Sequence, residues 1–64
     1  MTGQRLLSTA AAAKYLDMST RRLFDLTKYG SIAAKRDGRQ VKYDVRELDR
    51  YADSLNDYEP RSHR

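Results

Sequence analysis

The first apolar pattern along the chain has helical spacing. After Ser8, a residue type that favours the helix N-cap, residues 9–16 include four consecutive alanines, which have high helix propensity. The positions that share one face and are predicted to point inward are Ala12, Ala13 and Leu16. The pattern predicts a short helix whose small inward side chains let a second helix approach closely.

A second stretch of the same period follows after a turn of about three residues. Residues 20–29 come after Ser19, another favourable N-cap, and stop at Gly30, which suits a left-handed C-cap. The inward positions are predicted to be Leu23, Leu26 and Thr27. A helix, a short turn and a second helix together indicate a helix-turn-helix.

After Gly30 the period changes from helical to alternating, as in strands. Asp37-Gly38 is a strong hairpin-turn signal because glycine tolerates the positive φ of such turns. The positions predicted to face inward on the two strands are Ile32, Ala34, Val41 and Tyr43. A two-stranded ribbon is unstable alone, so we expect it to pack on the helices.

The third helix is predicted over residues 45–55. Asp44 and Glu47 have the spacing of an Asp-led capping box at its start. The inward stripe at i, i+3, i+4 and i+7 is Leu48, Tyr51, Ala52 and Leu55. We therefore predict a mainly α domain over residues 7–55, with three helices, a helix-turn-helix formed by the first two, and a small two-stranded β-hairpin. Residues 1–6 are predicted to be an N-terminal tail, and the polar residues 56–64 a flexible C-terminal tail.

The length of 64 residues allows one small domain and leaves little room for a buried substrate pocket, so we expect no enzyme. Cysteine is absent and the mean hydropathy is −0.92. No run approaches the roughly 20 apolar residues of a membrane span, and no secretory signal is evident. The composition predicts an intracellular, cytoplasmic protein without cofactor or metal, since His63 stands alone near the end of the chain.

Charge is distributed unevenly along the chain, whose net charge is +4. Residues 20–42 carry seven basic and two acidic side chains, a net charge of +5. Residues 44–59 carry two basic and six acidic side chains, a net charge of −4. A basic middle and an acidic end favour a polyanionic partner on one face, although an ordinary solvated surface is the alternative.

An ordered set of residues over about 7–55 resembles the winged helix-turn-helix domain of phage excisionases, which MerR-like regulators share. The residues that carry the resemblance are Leu7-Ser8, Ala12-Ala13, Tyr15-Leu16, Met18-Ser19, Arg21, Leu23-Phe24, Leu26, Gly30, Ile32, Gly38-Arg39 and Glu47-Leu48. The size is similar to that of the small excisionases of mycobacteriophages, also called recombination directionality factors. The sequence departs from relatives at Asp17, where Gly or Asn is usual, at Ala10-Ala11, where Glu is frequent, and at Thr27, which is often aliphatic.

The resemblance implies an architectural role on double-stranded DNA. Several copies would bind adjacent repeats at a phage attachment site, bend the DNA and direct a phage integrase toward excision. The absence of a long dimerisation helix predicts a monomer in free solution that assembles with further copies on DNA. The alternatives are a small transcription regulator and, in a different class, a protein adaptor that uses Tyr15, Tyr29 and the acidic third helix.

The start of the second helix carries the residues that would read DNA. Arg21 and Arg22 can fork onto guanine or clamp phosphate, and their alternative is to pair with Asp25. Thr20 would hold a phosphate or cap the helix. Asp25 would orient an arginine or accept from cytosine N4. Lys28 is predicted to contact phosphate, with simple solvation as the alternative.

The hairpin is the second predicted contact region. Its DNA-binding candidates are Lys35, Arg36, Arg39, Gln40 and Lys42. Arg39, at the tip, resembles the wing residue that such folds lay along a backbone or into a narrow minor groove. The lysines have an alternative role, since charged edges prevent strand aggregation.

The aromatic residues have simpler interpretations. Tyr43 and Tyr51 are predicted to be core residues with wet hydroxyls, and Phe24 to pack the second helix against the third helix or the wing. Tyr15 and Tyr29 are predicted to lie at the core edge, with a partner surface as the alternative. No activating cluster supports a tyrosine nucleophile.

Overall fold

A computed structural model describes residues 5–56 and residue 58. Its elements, in chain order, are β1 (Leu6–Ser8), α1 (Thr9–Tyr15), α2 (Thr20–Lys28), β2 (Lys35–Asp37), β3 (Gln40–Asp44) and α3 (Val45–Asp53). The predicted fold class, a helix-turn-helix with a wing, is confirmed, and the wing belongs to a sheet of three strands rather than two. Of the predicted C-terminal tail only Asn56 and Tyr58 lie within the described residues, and both are exposed.

The N-termini of the first two helices are capped as predicted. The Ser8 hydroxyl accepts from the Ala11 amide at 3.1 Å, and the Ser19 hydroxyl accepts from the Arg22 amide at 3.0 Å. Each cap satisfies one of the amides that the first turn of a helix leaves without a partner. The caps fix where α1 and α2 begin and therefore the length of the turn between them.

The turn between α1 and α2 depends on a left-handed residue. Asp17 has φ 56°, and its amide donates to the Lys14 carbonyl at 3.0 Å. The Met18 amide donates to the Ala13 carbonyl at 2.9 Å. These two bonds form a Schellman motif, in which glycine is the usual left-handed residue. Aspartate fills that position here because it tolerates φ > 0 better than most residues.

The end of α2 repeats the motif with glycine. Gly30 has φ 87° and donates its amide to Thr27, while the Ser31 amide reaches the Leu26 carbonyl at 2.9 Å. The chain therefore leaves α2 in a direction that places Ile32 in the core, where it is 1% exposed. The strand predicted from Ile32 begins only at Lys35, since residues 32–34 are not paired in the sheet.

The sheet has the order β1-β3-β2, with both pairs antiparallel. In β1, Leu6 lies opposite Asp44 and Leu7 opposite Tyr43. The predicted tail boundary at residue 6 is therefore wrong for Leu6, which is part of the sheet; residues 1–4 lie outside the described part. The Val45 amide also donates to the Arg5 carbonyl at 2.8 Å, which extends this pairing by one residue.

The core lies between the helices and the sheet. Its buried members are Ala12, Ala13, Leu23, Leu26, Ile32, Tyr43 and Leu48. The partly buried residues that pack against them are Leu7, Leu16, Met18, Ala34 and Tyr51. Two buried alanines on α1 let α2 pack closely, so the small inward face predicted for the first helix is present.

The distal ends of the wing and of α3 extend beyond this core, and three burial predictions fail there. Val41 shares the Tyr43 side of β3 but is exposed, since only the Tyr43 end of the strand covers the core. Ala52 and Leu55 are exposed, and α3 ends at Asp53 rather than at Leu55. The amphipathic period was correct in phase, but it does not reveal how far the core extends along an element.

The predicted capping box is half right. The Asp44 side chain accepts from the Arg46 amide at 2.9 Å, as an N-cap does. Glu47 does not reach back to the Asp44 amide; its carboxylate accepts from the Ala33 amide at 3.2 Å and from Arg50. Glu47 thereby connects α3 to the segment that precedes the wing.

Candidate nucleic-acid interface

The outer face of α2 is formed by residues that lie opposite its buried side. Leu23 and Leu26 are buried, and at 3.6 residues per turn the direction opposite them is occupied by Arg21, Asp25 and Lys28 at i, i+4 and i+7. Arg21 and Lys28 are exposed, whereas Asp25 is half-buried. The structure therefore brings three of the predicted site residues onto one line along the helix.

Arg22 lies on a different side of α2. The helical period places it about a quarter turn from the buried face, on the side where Tyr29 lies two turns further along rather than on the side of Arg21. Its backbone amide serves the Ser19 cap, but its side chain is exposed. Of the two arginines, Arg21 is therefore the one placed to contact a partner that docks on the outer face of α2.

The structure does not bring Asp25 together with either arginine. The ion pairs among residues 5–56 and 58 are Arg5–Asp44, Arg46–Asp44 and Arg50–Glu47. The intramolecular pairing considered as the alternative role of Arg21 and Arg22 is thus absent in this structure. Both guanidinium groups are available to an external anion.

Thr20 is the first residue of α2 and is exposed. The capping role considered for it belongs to Ser19 instead, whose hydroxyl accepts from an amide of the first turn. A hydroxyl at this end of the helix stands where the backbone amides and the helix dipole favour an anion. The geometry retains a phosphate contact as the prediction for Thr20.

A hydrogen-bond chain holds α2 against β3. The Thr27 hydroxyl donates to the Leu23 carbonyl at 2.9 Å, one turn back, as a partly buried threonine in a helix commonly does. Because that proton is used, the Tyr43 hydroxyl is the donor in its 3.0 Å contact with the Thr27 oxygen. The predicted wet hydroxyl of Tyr43 is therefore bonded within the protein, and it fixes the helix relative to the wing.

The wing separates its predicted contact residues by strand register. Lys35 lies opposite Lys42, and Asp37 opposite Gln40, so these four share one face of the ribbon. Arg36 lies opposite Val41 on the other face. The turn consists of Gly38, with φ 65°, and Arg39. Arg39 thus stands at the tip, while Lys35, Gln40 and Lys42 present a second surface.

Repulsion between Lys35 and Lys42 destabilises the wing when the protein is alone. Directly opposite residues on an antiparallel pair have Cβ atoms about 5 Å apart, and like charges there are destabilising. Neither lysine has an ion-pair partner among the described residues. A phosphate placed between them would convert the repulsion into two attractions.

The acidic groups at the start of α3 are paired within the protein. Hydrogen bonds from the Arg46 side chain and amide, and from Arg5, hold the pKa of Asp44 well below its usual value. Arg50, and then the Ala33 amide, lower the pKa of Glu47. The acids that are paired are thus those at the start of α3.

The basic side chains of the middle segment, unlike the acids at the start of α3, are unpaired among the residues described. Seven basic side chains of the middle segment make no ion pair within residues 5–56 and 58; they are Arg21, Arg22, Lys28, Lys35, Arg36, Arg39 and Lys42. All except the half-buried Lys42 are exposed. The basic side chains of the middle segment are therefore unpaired in the described part of the chain, and they are distributed over α2 and both faces of the wing.

Phe24 is the residue of this surface that sequence reasoning missed. Its predicted packing role is wrong: the side chain is 59% exposed on α2. The signal was available in the helical period, since Phe24 is out of phase with Leu23 and Leu26. The prediction of packing follows from the frequent burial of phenylalanine, which its position on the helix does not support here. Tyr29 at 81% and Tyr15 at 49% are also more exposed than predicted.

The described residues offer little to a small ligand. A cleft of about 350 Å³ lies between residues 33–35 and the start of α3, and it is lined by Ala33, Ala34, Lys35, Asp44, Arg46, Glu47 and Arg50. Its carboxylates are already bonded to arginines or to the backbone. Within residues 5–56 and 58, acidic and histidine side chains do not gather into a group that could hold a metal ion. In the same residues, every helix is too short and polar to cross a bilayer.

Comparison with known proteins agrees with this geometry. A family profile described as a helix-turn-helix domain matches residues 6–56, which are 51 of the 64 residues. The match begins at Leu6 in β1 and extends past the end of α3. A search of curated proteins finds no matching relative.

Proposed function

The chain belongs to the helix-turn-helix domain family, and we propose that it works by binding and bending specific sites on duplex DNA without catalysing a reaction. Family membership supports sequence-specific binding to double-stranded DNA. The family also includes excisionase-like DNA-binding proteins.

The proposed docking places α2 in the major groove. In helix-turn-helix proteins the second helix presents its N-terminal residues to base edges while the first helix crosses the backbone. Arg21 stands at that end, exposed and opposite the buried face, and its fork matches guanine O6 and N7. Lys28, two turns further, is placed for a phosphate.

The wing supplies the second contact. Arg39 at the tip reaches the adjacent backbone or a narrow minor groove, where negative potential is focused. Lys35 and Lys42 face the DNA backbone on one side of the ribbon, with Gln40 beside them. Arg36 lies on the opposite face of the wing, so it contacts DNA only if the wing enters a groove and DNA covers both of its faces.

The observation that carries the proposal is the set of seven basic side chains without an internal partner. A stable fold normally exposes lysines and arginines with acids interspersed among them. Here the acids at the start of α3 are bonded to Arg5, Arg46 and Arg50, while the seven cations of α2 and the wing outnumber the two acids among them, Asp25 and Asp37, and pair with neither. A polyanion is the partner that this arrangement suits.

We further propose that the role is that of an excisionase. Several copies occupy adjacent repeats at a phage attachment site in a bacterial cell, and the bend they create favours the excision complex of a phage integrase. Bending a site of 20–30 bp costs on the order of 1–6 kcal/mol, which several bound copies can supply together. The similarity of residues 7–55 to excisionases supports this finer assignment.

A recombination assay tests it. A phage integrase is incubated with its left and right attachment sites on one plasmid, with and without this protein. We expect excision only when the protein is present, and a loss of excision with the Arg21→Ala variant. Sequence-specific binding that leaves the direction of recombination unchanged would contradict the excisionase role and favour a transcription regulator.

A further inference from the structure

Phe24 presents an apolar surface in the middle of the proposed base-reading helix. Its side chain is 59% exposed, although the opposite side of the same helix faces the core, where a large aromatic residue could pack. The buried residues of α2 are Leu23 and Leu26, and Phe24 is not part of the core that holds the helix. Its position needs an explanation other than packing.

The neighbours of Phe24 on the helix surface are residues that we have assigned to DNA. Residues three or four apart on a helix are adjacent, which places Thr20, Arg21 and Lys28 around the ring at i−4, i−3 and i+4. When the flanking cations engage phosphate or guanine, the ring is brought against the same groove. It therefore comes within reach of base edges rather than solvent.

The chemistry of the major groove offers one apolar feature to such a ring. Thymine presents its C5-methyl group there, whereas the other base edges present hydrogen-bond donors and acceptors. A phenyl ring has no hydrogen-bonding group and gains only by removing apolar surface from water. It also disfavours cytosine, whose N4 donor would be left without a partner.

We propose that Phe24 reads a thymine by packing against its C5-methyl group and so contributes to the sequence preference of α2. This inference rests on the proposed function, since it assumes that α2 lies in the major groove. Thymine recognition by Phe24 adds an apolar determinant beside Arg21, which reads guanine. A preferred site is then expected to contain a thymine within one or two base pairs of that guanine.

Deoxyuridine substitution tests the contact directly, because it deletes only the methyl group. The preferred duplex is first selected from a random library with the wild-type protein. Each thymine of that duplex is then replaced in turn by deoxyuridine, and binding is measured by fluorescence anisotropy. At one thymine we expect the wild-type affinity to fall about fourfold, the equivalent of about 0.8 kcal/mol for one buried methyl group.

The Phe24→Ala variant completes the cycle. It should bind the thymine and deoxyuridine duplexes equally, and its unfolding midpoint should stay close to that of the wild type because the side chain is exposed. Tyr29→Ala is the matched control, since Tyr29 is an exposed aromatic at the C-cap of the same helix, on another side from Phe24. That variant should keep the fourfold preference, as should Arg21→Ala, although the latter binds more weakly.

Two results would overturn the inference while leaving DNA binding intact. One is a wild-type protein that distinguishes thymine from deoxyuridine at no position. The other is a Phe24→Ala variant that retains the wild-type preference. A wild-type protein that selects no duplex would overturn the proposed function together with this inference.

Discussion

Asp44 connects three parts of the chain through one carboxylate. It is 5% exposed, caps α3 through the Arg46 amide and accepts from Arg5 at 3.0 Å, which holds the start of β1 beside the end of β3. An acid at this position is tolerated because each of its oxygens has a donor. The wing and α3 depend on it for their relative position.

The stability of the fold should therefore depend on the ionisation of Asp44. Its pKa in the folded protein is lowered from 3.8 by Arg46 and Arg5. A group with a lowered folded-state pKa stabilises above its unfolded pKa, and this contribution is lost as the pH falls through the lowered pKa. We expect the thermal midpoint to decline below roughly pH 5. Asp44→Asn, which keeps a capping oxygen, should flatten that decline, as monitored by circular dichroism.

Comparison of Asp44→Ala with Asp44→Asn separates the capping role of the side chain from its charge, because alanine removes both. Removing both should lower the midpoint at pH 7 by roughly 5 °C or more, since a lost N-cap alone has this order of effect in a small domain. Asp44→Asn should lose less. Equal midpoints for the wild type and both variants at pH 7 would show that the carboxylate does not hold the wing to α3.

Arg21 and Arg39 should differ in the kind of binding they support. Arg21→Ala is expected to cost about 1–3 kcal/mol on the preferred site and little on other sequences, because a bidentate guanine contact is lost. Arg39→Ala should weaken binding to all duplexes by a similar factor, because a backbone contact carries no sequence information. Competition titrations against a panel of duplexes measure both. Equal and sequence-independent losses would mean that α2 does not read bases.

At the scale of elements, local signals were sufficient for the helices and insufficient for the sheet. Ser8, Ser19 and Gly30 act within a few residues of themselves, so the helix limits could be predicted closely. Strand β1 could not, because Leu6-Leu7-Ser8 becomes a strand only through pairing with β3, more than thirty residues away. A segment of three residues is too short to show the alternating pattern by which a strand is predicted from sequence.

The same distinction applies to the site. The exposed cations of α2 and the wing could be listed from the sequence, since charge and turn chemistry identify them. Which of them pair internally could not be predicted, because Asp25 follows two arginines at helical spacings of four and three residues and bonds neither. Glu47, in contrast, forms a bond that sequence proximity does not indicate: its carboxylate accepts from the Ala33 amide, 14 residues away in the chain.

The wing should show a conflict between stability and binding. Lys35→Glu replaces the like-charge pair with Lys42 by an opposite-charge pair, which is expected to add about 0.2–1 kcal/mol to stability, or about 1–8 °C in the midpoint. The same change should weaken DNA binding by about tenfold or more, since a phosphate contact becomes a repulsion. Lys35→Gln is the matched control and should lie between the two in both assays. A variant with unchanged DNA affinity would remove Lys35 from the interface.

For the whole molecule, the separation of charge suggests how copies assemble. The acidic α3 of one copy can face the basic wing or the flanks of α2 in the next. Exposed pairs of this kind contribute a few tenths to 1 kcal/mol each, so they act only when DNA holds the copies side by side. We predict a monomer in free solution and cooperative filling of neighbouring sites on DNA.

Charge reversal on α3 tests this arrangement. Asp53→Lys together with Asp49→Lys should reduce cooperativity in footprinting on a multi-site fragment and spare the affinity for a single site. Because the Tyr15 hydroxyl donates to Asp49 at 2.6 Å, reversing Asp49 also breaks that bond. Tyr15→Phe removes the bond but keeps the charge, and it should leave cooperativity intact. Independent filling by the wild type, or a stable dimer without DNA, would contradict the prediction.

The salt dependence of duplex binding tests the central claim that the basic surface of α2 and the wing binds DNA. Each phosphate neutralised releases counterions, so about five or six contacts predict a slope of roughly −4 to −6 per protomer in log affinity against log salt. Fluorescence anisotropy between about 50 and 200 mM salt measures it. Replacing Lys28 and Arg39 together by glutamine should reduce the slope by about two. Binding that does not change with salt, or no binding at the lowest salt, would contradict the account.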